Sequence, residues 1–69
     1  MTGEIQKIVK DKGYGFVRVR DDGPPRDLFF HYTQLRGLSL CEQILHLRVE
    51  FDVTKTVRGE QAFNIRPLD

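Results

Sequence analysis

The run Tyr14-Gly15-Phe16-Val17-Arg18-Val19-Arg20 constrains this chain more than any other stretch, because its side chains can be divided in only one sensible way. In a strand, successive side chains point to opposite faces. Tyr14, Phe16, Arg18 and Arg20 therefore share one face, and Gly15, Val17 and Val19 share the other. Burying two unpaired guanidinium groups costs far more than leaving two rings in water. The valine face is the core face, so Tyr14 and Phe16 point out. The run Asp27-Leu28-Phe29-Phe30-His31-Tyr32 divides in the same way, with Leu28 and Phe30 inward and Asp27, Phe29 and His31 outward.

Size makes that exposure informative. A chain of 69 residues buries only about 60% of the surface its unfolded form exposes, so rings kept outside are withheld from a small core. Single surface aromatics are ordinary, but four in one phase beside lysine and arginine offer flat surfaces near cations, the arrangement that holds single-stranded nucleic acid. The net charge of +1 does not advertise a polyanionic partner, so any attraction must come from placement. Lys7, Lys10, Lys12, Arg18 and Arg20 do crowd into the first twenty positions. The competing reading of that cluster is an ordinary solvated surface of mixed charge. Cys41 has no partner for an internal disulfide, no apolar run is long enough to span a membrane, and no signal-peptide pattern opens the chain. A cytoplasmic setting is expected.

Turn signals arrive at short intervals without linker or repeat, which suggests an all-β barrel or sandwich. Strands are expected at residues 4–10, 14–20, 27–31, 47–54 and 61–66, in a single domain spanning residues 1–69. Asp11-Lys12-Gly13 makes the first turn, Asp21 to Arg26 the second, and Thr56 to Glu60 the last hairpin. Val49, Phe51 and Val53 form an inner face, and the phase that Phe63 shares with Ile65 assigns Phe63 to the core as well. Ser39-Leu40-Cys41-Glu42 fits a capping box for a short helical turn. Leu40, Ile44 and Leu45 would line one side of that turn, and with Leu38 and Leu47 they would close an open end of the barrel.

Lys12-Gly13-Tyr14-Gly15-Phe16-Val17 and Asp27-Leu28-Phe29-Phe30-His31-Tyr32 resemble the two ribonucleoprotein motifs of the cold-shock domain family. Arg58-Gly59-Glu60-Gln61-Ala62-Phe63-Asn64-Ile65 is similar to the family's Arg-Gly-x-Gln-Ala-x-Asn-Val tail. Order separates this family from the RNA-recognition motif, where the second motif precedes the first and helices intervene. The resemblance implies a five-stranded antiparallel barrel of the oligonucleotide-binding (OB) type. It also implies that Tyr14, Phe16, Phe29, His31 and Tyr32 stack successive bases, with Lys7, Lys10, Lys12, Arg58 and Gln61 contacting the strand beside them; Arg18, a departure from the family, is expected to add charge of its own. The implied partner is single-stranded RNA or DNA, by family habit rich in pyrimidines, and the implied role is that of an RNA chaperone or a regulator of transcription or translation; a monomer is expected rather than a dimer.

The chain departs from the family pattern in places. Lys7-Ile8-Val9 replaces Trp-Phe-Asn, exchanging a ring for a cation; Leu40 stands near a frequent phenylalanine; and Glu60 replaces a common proline, setting a negative charge beside Arg58. Arg18 and Arg20 occupy positions where acidic residues are frequent. His31, His46 and Cys41 lack metal-ligand spacing, and His31 has no convincing nucleophile or carboxylate partner, so neither a metal, a cofactor nor an enzyme is expected. Gly13 and Gly15 precede no helix and are assigned to a tight turn and a close strand approach. The rival from another class is a barrel that binds protein through the apolar segment 38–47.

Overall fold

The computed structural model describes residues 1–20 and 22–68. Asp21, part of the expected second turn, and Asp69, the end of the expected domain, lie outside the described residues. Five strands form: β1 (Thr2–Val9), β2 (Tyr14–Val19), β3 (Asp27–His31), β4 (Arg48–Thr56) and β5 (Gly59–Pro67). Short 3-10 turns occupy Lys10–Lys12, Tyr32–Gln34 and Glu42–Ile44. The strands close into a barrel in the order β1-β2-β3-β5-β4.

The expectation of a wholly antiparallel barrel is corrected. β3 and β5 meet in parallel, Phe29 opposite Gln61, and an isolated parallel bridge joins Leu35 to Ile65. The reason is parity: directions cannot alternate all the way round a ring of five. With the other four pairings antiparallel, the fifth is forced to be parallel.

Inside the ring, Ile5, Val17, Phe30, Val49, Phe51 and Ile65 are wholly buried, with Leu28, Val19 and Ala62 nearly so. Val17 and Val19 thus face inward while Arg18 and Arg20 are exposed, as the alternation requires. Two β-bulges reset that alternation. In β1, Ile5 faces Val17 but Lys7 faces Phe16, so Gln6 is one residue too many. Ile5 and Ile8 both turn inward as a result, and Lys7 turns out. In β5, Arg66 faces Glu50 and Phe63 faces Asp52, and Asn64 takes up the extra residue with φ 56°. The bulge turns both Ala62 and Ile65 inward. Phe63 is therefore half-buried outside the core cluster rather than part of it.

The connection from β3 to β4 closes one end of the barrel with apolar side chains. Ile44 is buried, and Leu38, Leu40, Cys41 and Leu47 pack against the core. A helical turn forms there, but Cys41 caps it without a side-chain hydrogen bond, so the expected Ser39 capping box is absent. Leu45 departs from its expected place and is 37% exposed, since a single 3-10 turn is too short to carry Leu45 round to the face of Ile44.

Gly15 is buried because β1 and a core ring close over it: a Cβ there would lie 2.5 Å from the Lys7 carbonyl oxygen and 2.7 Å from Phe30 Cζ. Neither neighbour can retreat, one being backbone and the other the centre of the core. Gly15→Ala should lower stability by about 1–3 kcal/mol, the usual cost of overpacking, measured by urea unfolding followed by circular dichroism; an unchanged midpoint would show that β1 and β2 are not packed this closely.

Candidate nucleic-acid interface

The first bulge and the strand register build a transverse row across four strands. Lys7, Phe16, Phe29 and Gln61 are successive neighbours from β1 to β5. On one side of it runs a second row, Val9, Tyr14 and His31; on the other runs a third, Glu4, Arg18 and Asp27. All face outward. Without the extra residue at Gln6, Lys7 would fall on the core face.

The rings touch. Tyr14 and Phe29 lie 5.3 Å apart between centroids at 34°, and Phe16 meets Tyr14 edge-on at 5.9 Å and Phe29 at 6.0 Å. All three are half-buried, because each shields its neighbours. A second pair stands at the end of β3, where His31 and Tyr32 are 4.7 Å apart and Tyr32 is 53% exposed. Two local bonds fix this pair: the Thr33 N–H donates to His31 Nδ1 at 3.4 Å, and the Tyr32 N–H donates to the Gly13 carbonyl at 3.0 Å. Gly13 adopts φ 76°, ending the Lys10–Lys12 turn, and a Cβ on it would come within 3.0 Å of the Tyr32 ring. Turn chemistry and ring placement thus meet at one glycine.

Charge is distributed unevenly around the rings. Arg18 Nε binds Asp27 Oδ1 at 3.0 Å, and Arg20 binds Glu4 at 2.9 Å. The hydrogen bond that Arg18 donates to Asp27, and the negative charge of that carboxylate, raise the Arg18 pKa above its ordinary value. Among the described residues, Lys7, Lys10, Lys12 and Arg58 have no ion-pair partner. Lys10 and Lys12 lie in the turn beyond the Tyr14 end of the face, and Arg58 sits at the tip of the β4–β5 hairpin, all exposed. Arg18 differs from these four in that its guanidinium is already engaged.

Sequence reasoning did not foresee the hollow at the β3–β5 seam. A cavity of about 160 Å³ opens there, lined by Phe29, Arg58, Glu60 and Gln61. Glu60 shares it with Arg58 as expected, but its ion-pair partner is Arg26, at 3.4 Å. Arg26 lies at the end of a turn, where no periodic signal reports direction. A larger and more open hollow beside Arg18, Arg20 and Pro25 contains no ring.

The sequence profile described as the 'Cold-shock' DNA-binding domain matches residues 1–68. The chain belongs to the cold-shock domain family. It is 37% identical over 68 residues to a cold shock-like protein of Aquifex aeolicus, covering 96% of this chain and 91% of that one. It is 35% identical over 66 residues to the cold shock protein ScoF of Streptomyces coelicolor, covering 96% of each, and 34% identical over 68 residues to the cold shock-like protein CspG of Escherichia coli, covering 99% and 94%. Members of this family are nucleic-acid-binding proteins, and the closed five-stranded ring is consistent with an OB fold.

Asp27→Asn removes the partner of Arg18 together with one negative charge at the border of the ring face. Affinity for a single-stranded oligonucleotide should rise, and the slope of log affinity against log salt should steepen by about 0.7, the release expected for one more phosphate contact on a single strand. A fluorescence anisotropy titration at several salt concentrations checks this; an unchanged slope would mean that Arg18 stays out of reach of phosphate.

Proposed function

We propose that this protein binds single-stranded RNA or DNA by stacking successive bases on Tyr14, Phe16, Phe29, His31 and Tyr32. Lys7, Lys10, Lys12 and Arg58 attract the backbone from the borders of the face, Gln61 bonds to a nucleotide from β5, and Arg18 joins when Asp27 releases it. The observation that carries this reading is the mutual contact of Tyr14, Phe16 and Phe29 on the outer face, in a register that sets Lys7 at one end of their row and Gln61 at the other. Cross-strand ring contacts also support the sheet, but a cluster of rings on the outer face, bordered by cations that have no ion-pair partner among the described residues, is also what a strand of unstacked bases requires.

Stacking is worth about 1–3 kcal/mol per base by alanine substitution, and Phe and Tyr are stiff enough that little ordering opposes it. Several such platforms give a usable affinity after the strand has been ordered. The chemistry requires neither metal nor covalent step. Binding that melts or prevents weak pairing without consuming a cofactor suits an RNA chaperone or a regulator of transcription or translation, working as a monomer in the cytoplasm on pyrimidine-rich stretches. The alternative, protein contact through residues 38–47, is weakened by the packing of Leu38, Leu40 and Leu47 against the core.

The test is anisotropy of labelled oligo-uridine of about seven bases, compared with a duplex of the same length. Selective single-strand binding with a salt slope corresponding to only a few phosphates is expected. Phe16→Ala and Phe29→Ala should each weaken binding by about 1–3 kcal/mol while keeping a cooperative thermal transition. Absence of binding to any single strand would overturn the proposal.

A further inference from the structure

We infer that the cavity at the β3–β5 seam is a base-selective subsite and that Glu60 makes it prefer guanine. The inference rests on the reading of the ring face as a base platform, but its own support is the composition of this cavity. Phe29 supplies an aromatic wall, Gln61 stands next to it across the seam, and Arg58 and Glu60 descend from the β4–β5 hairpin. At about 160 Å³ the space suits one planar heterocycle.

A carboxylate in a site for polyanions needs a reason. Glu60 Oε1 lies 3.4 Å from Arg26 Nε, which offsets its charge, and Arg58, unpaired among the described residues, supplies on the same cavity the positive charge that a phosphate chain needs. The ion pair also draws the carboxylate towards Arg26, at the β3 side of the seam. What remains is a positioned group that only accepts hydrogen bonds, with lone pairs on both oxygens.

Base edges differ in how they meet such a group. Uracil presents one N–H between two carbonyl oxygens. Cytosine and adenine each set an amino N–H next to a ring nitrogen whose lone pair would face the carboxylate. Guanine alone presents two adjacent donors, N1–H and the N2 amino group, which match the two oxygens in a charge-assisted pair. Its O6 is then left to the donors of Arg58 or Gln61. Stacking on Phe29 accepts any base, so the edge decides, and single strands leave that edge open to be read.

The experiment measures anisotropy for uridine heptamers carrying one guanosine, adenosine or inosine at each position in turn. Adenosine controls for the better stacking of a purine, and inosine keeps N1–H and O6 while lacking the N2 amino group. At one position guanosine should bind about tenfold tighter than either, the discrimination expected of a good two-point contact. In Glu60→Gln the ratio of guanosine to adenosine at that position should fall towards one. Equal binding of guanosine, adenosine and inosine by the unaltered protein at every position would overturn the inference, as would a ratio that survives in Glu60→Gln. The inosine arm uses the unaltered protein, so the inference stays exposed even if the variant binds nothing. Failure to bind any heptamer, all-uridine included, would instead sink the platform reading itself.

Discussion

Five strands arranged in a ring must contain a seam, and most of what is distinctive in this molecule gathers there. Four of the pairings are antiparallel, so one join is left in which both strands run the same way. That join is sparse: Phe29 faces Gln61, Leu35 faces Ile65, and the chain between turns away through the 3-10 turn at Tyr32–Gln34. The seam cavity lies at this sparse join, lined by Phe29 on one strand and Gln61 on the other.

The second organising device is the displaced residue. Gln6 and Asn64 each add one position to a strand and so exchange its faces beyond that point. At Gln6 the exchange keeps Ile5 and Ile8 in the core and carries Lys7 to the outer face. At Asn64 it keeps Ala62 and Ile65 inside and sends Phe63 out. Asn64 tolerates its left-handed backbone because a short polar side chain is suited to that region, and its amide reaches Asp52 at 3.2 Å. The bulges let a core of fixed apolar content fit strands whose sequence does not alternate strictly.

These devices explain which features could be read from the sequence. The inward valines and outward rings of β2 and β3 were legible because those strands alternate without interruption and each carries a charged residue that names its outer face. The five strands and the β4–β5 hairpin followed from turn residues. Periodicity misplaces Phe63 because a bulge leaves no periodic mark: the strict alternation that would place Phe63 inside is what Asn64 breaks. The parallel seam was implicit in the count of strands, yet strand-by-strand reading does not ask how a ring closes. Ion pairs were beyond reach for a related reason. Arg18 finds Asp27 and Arg26 finds Glu60 across the barrel surface, and such partners depend on register rather than on local pattern. The apolar content of the β3–β4 connection places its leucines correctly as a group but not Leu45, since a one-turn 3-10 segment lacks the periodicity of an α-helix.

The sparse seam also bears on how the protein moves. β1, β2 and β3 follow one another closely in sequence, so their pairings close short loops, whereas joining Phe29 to Gln61 and Gly3 to Val49 requires distant parts of the chain to meet. Local opening takes the route with fewest bonds to break, and the wall between β3 and β5 offers it. Amide hydrogens there should exchange with solvent before those of β2. The ring face thus combines a fully paired side at Tyr14 and Phe16 with a sparsely paired side at Gln61, so one end of a single row of side chains can open while the other stays closed.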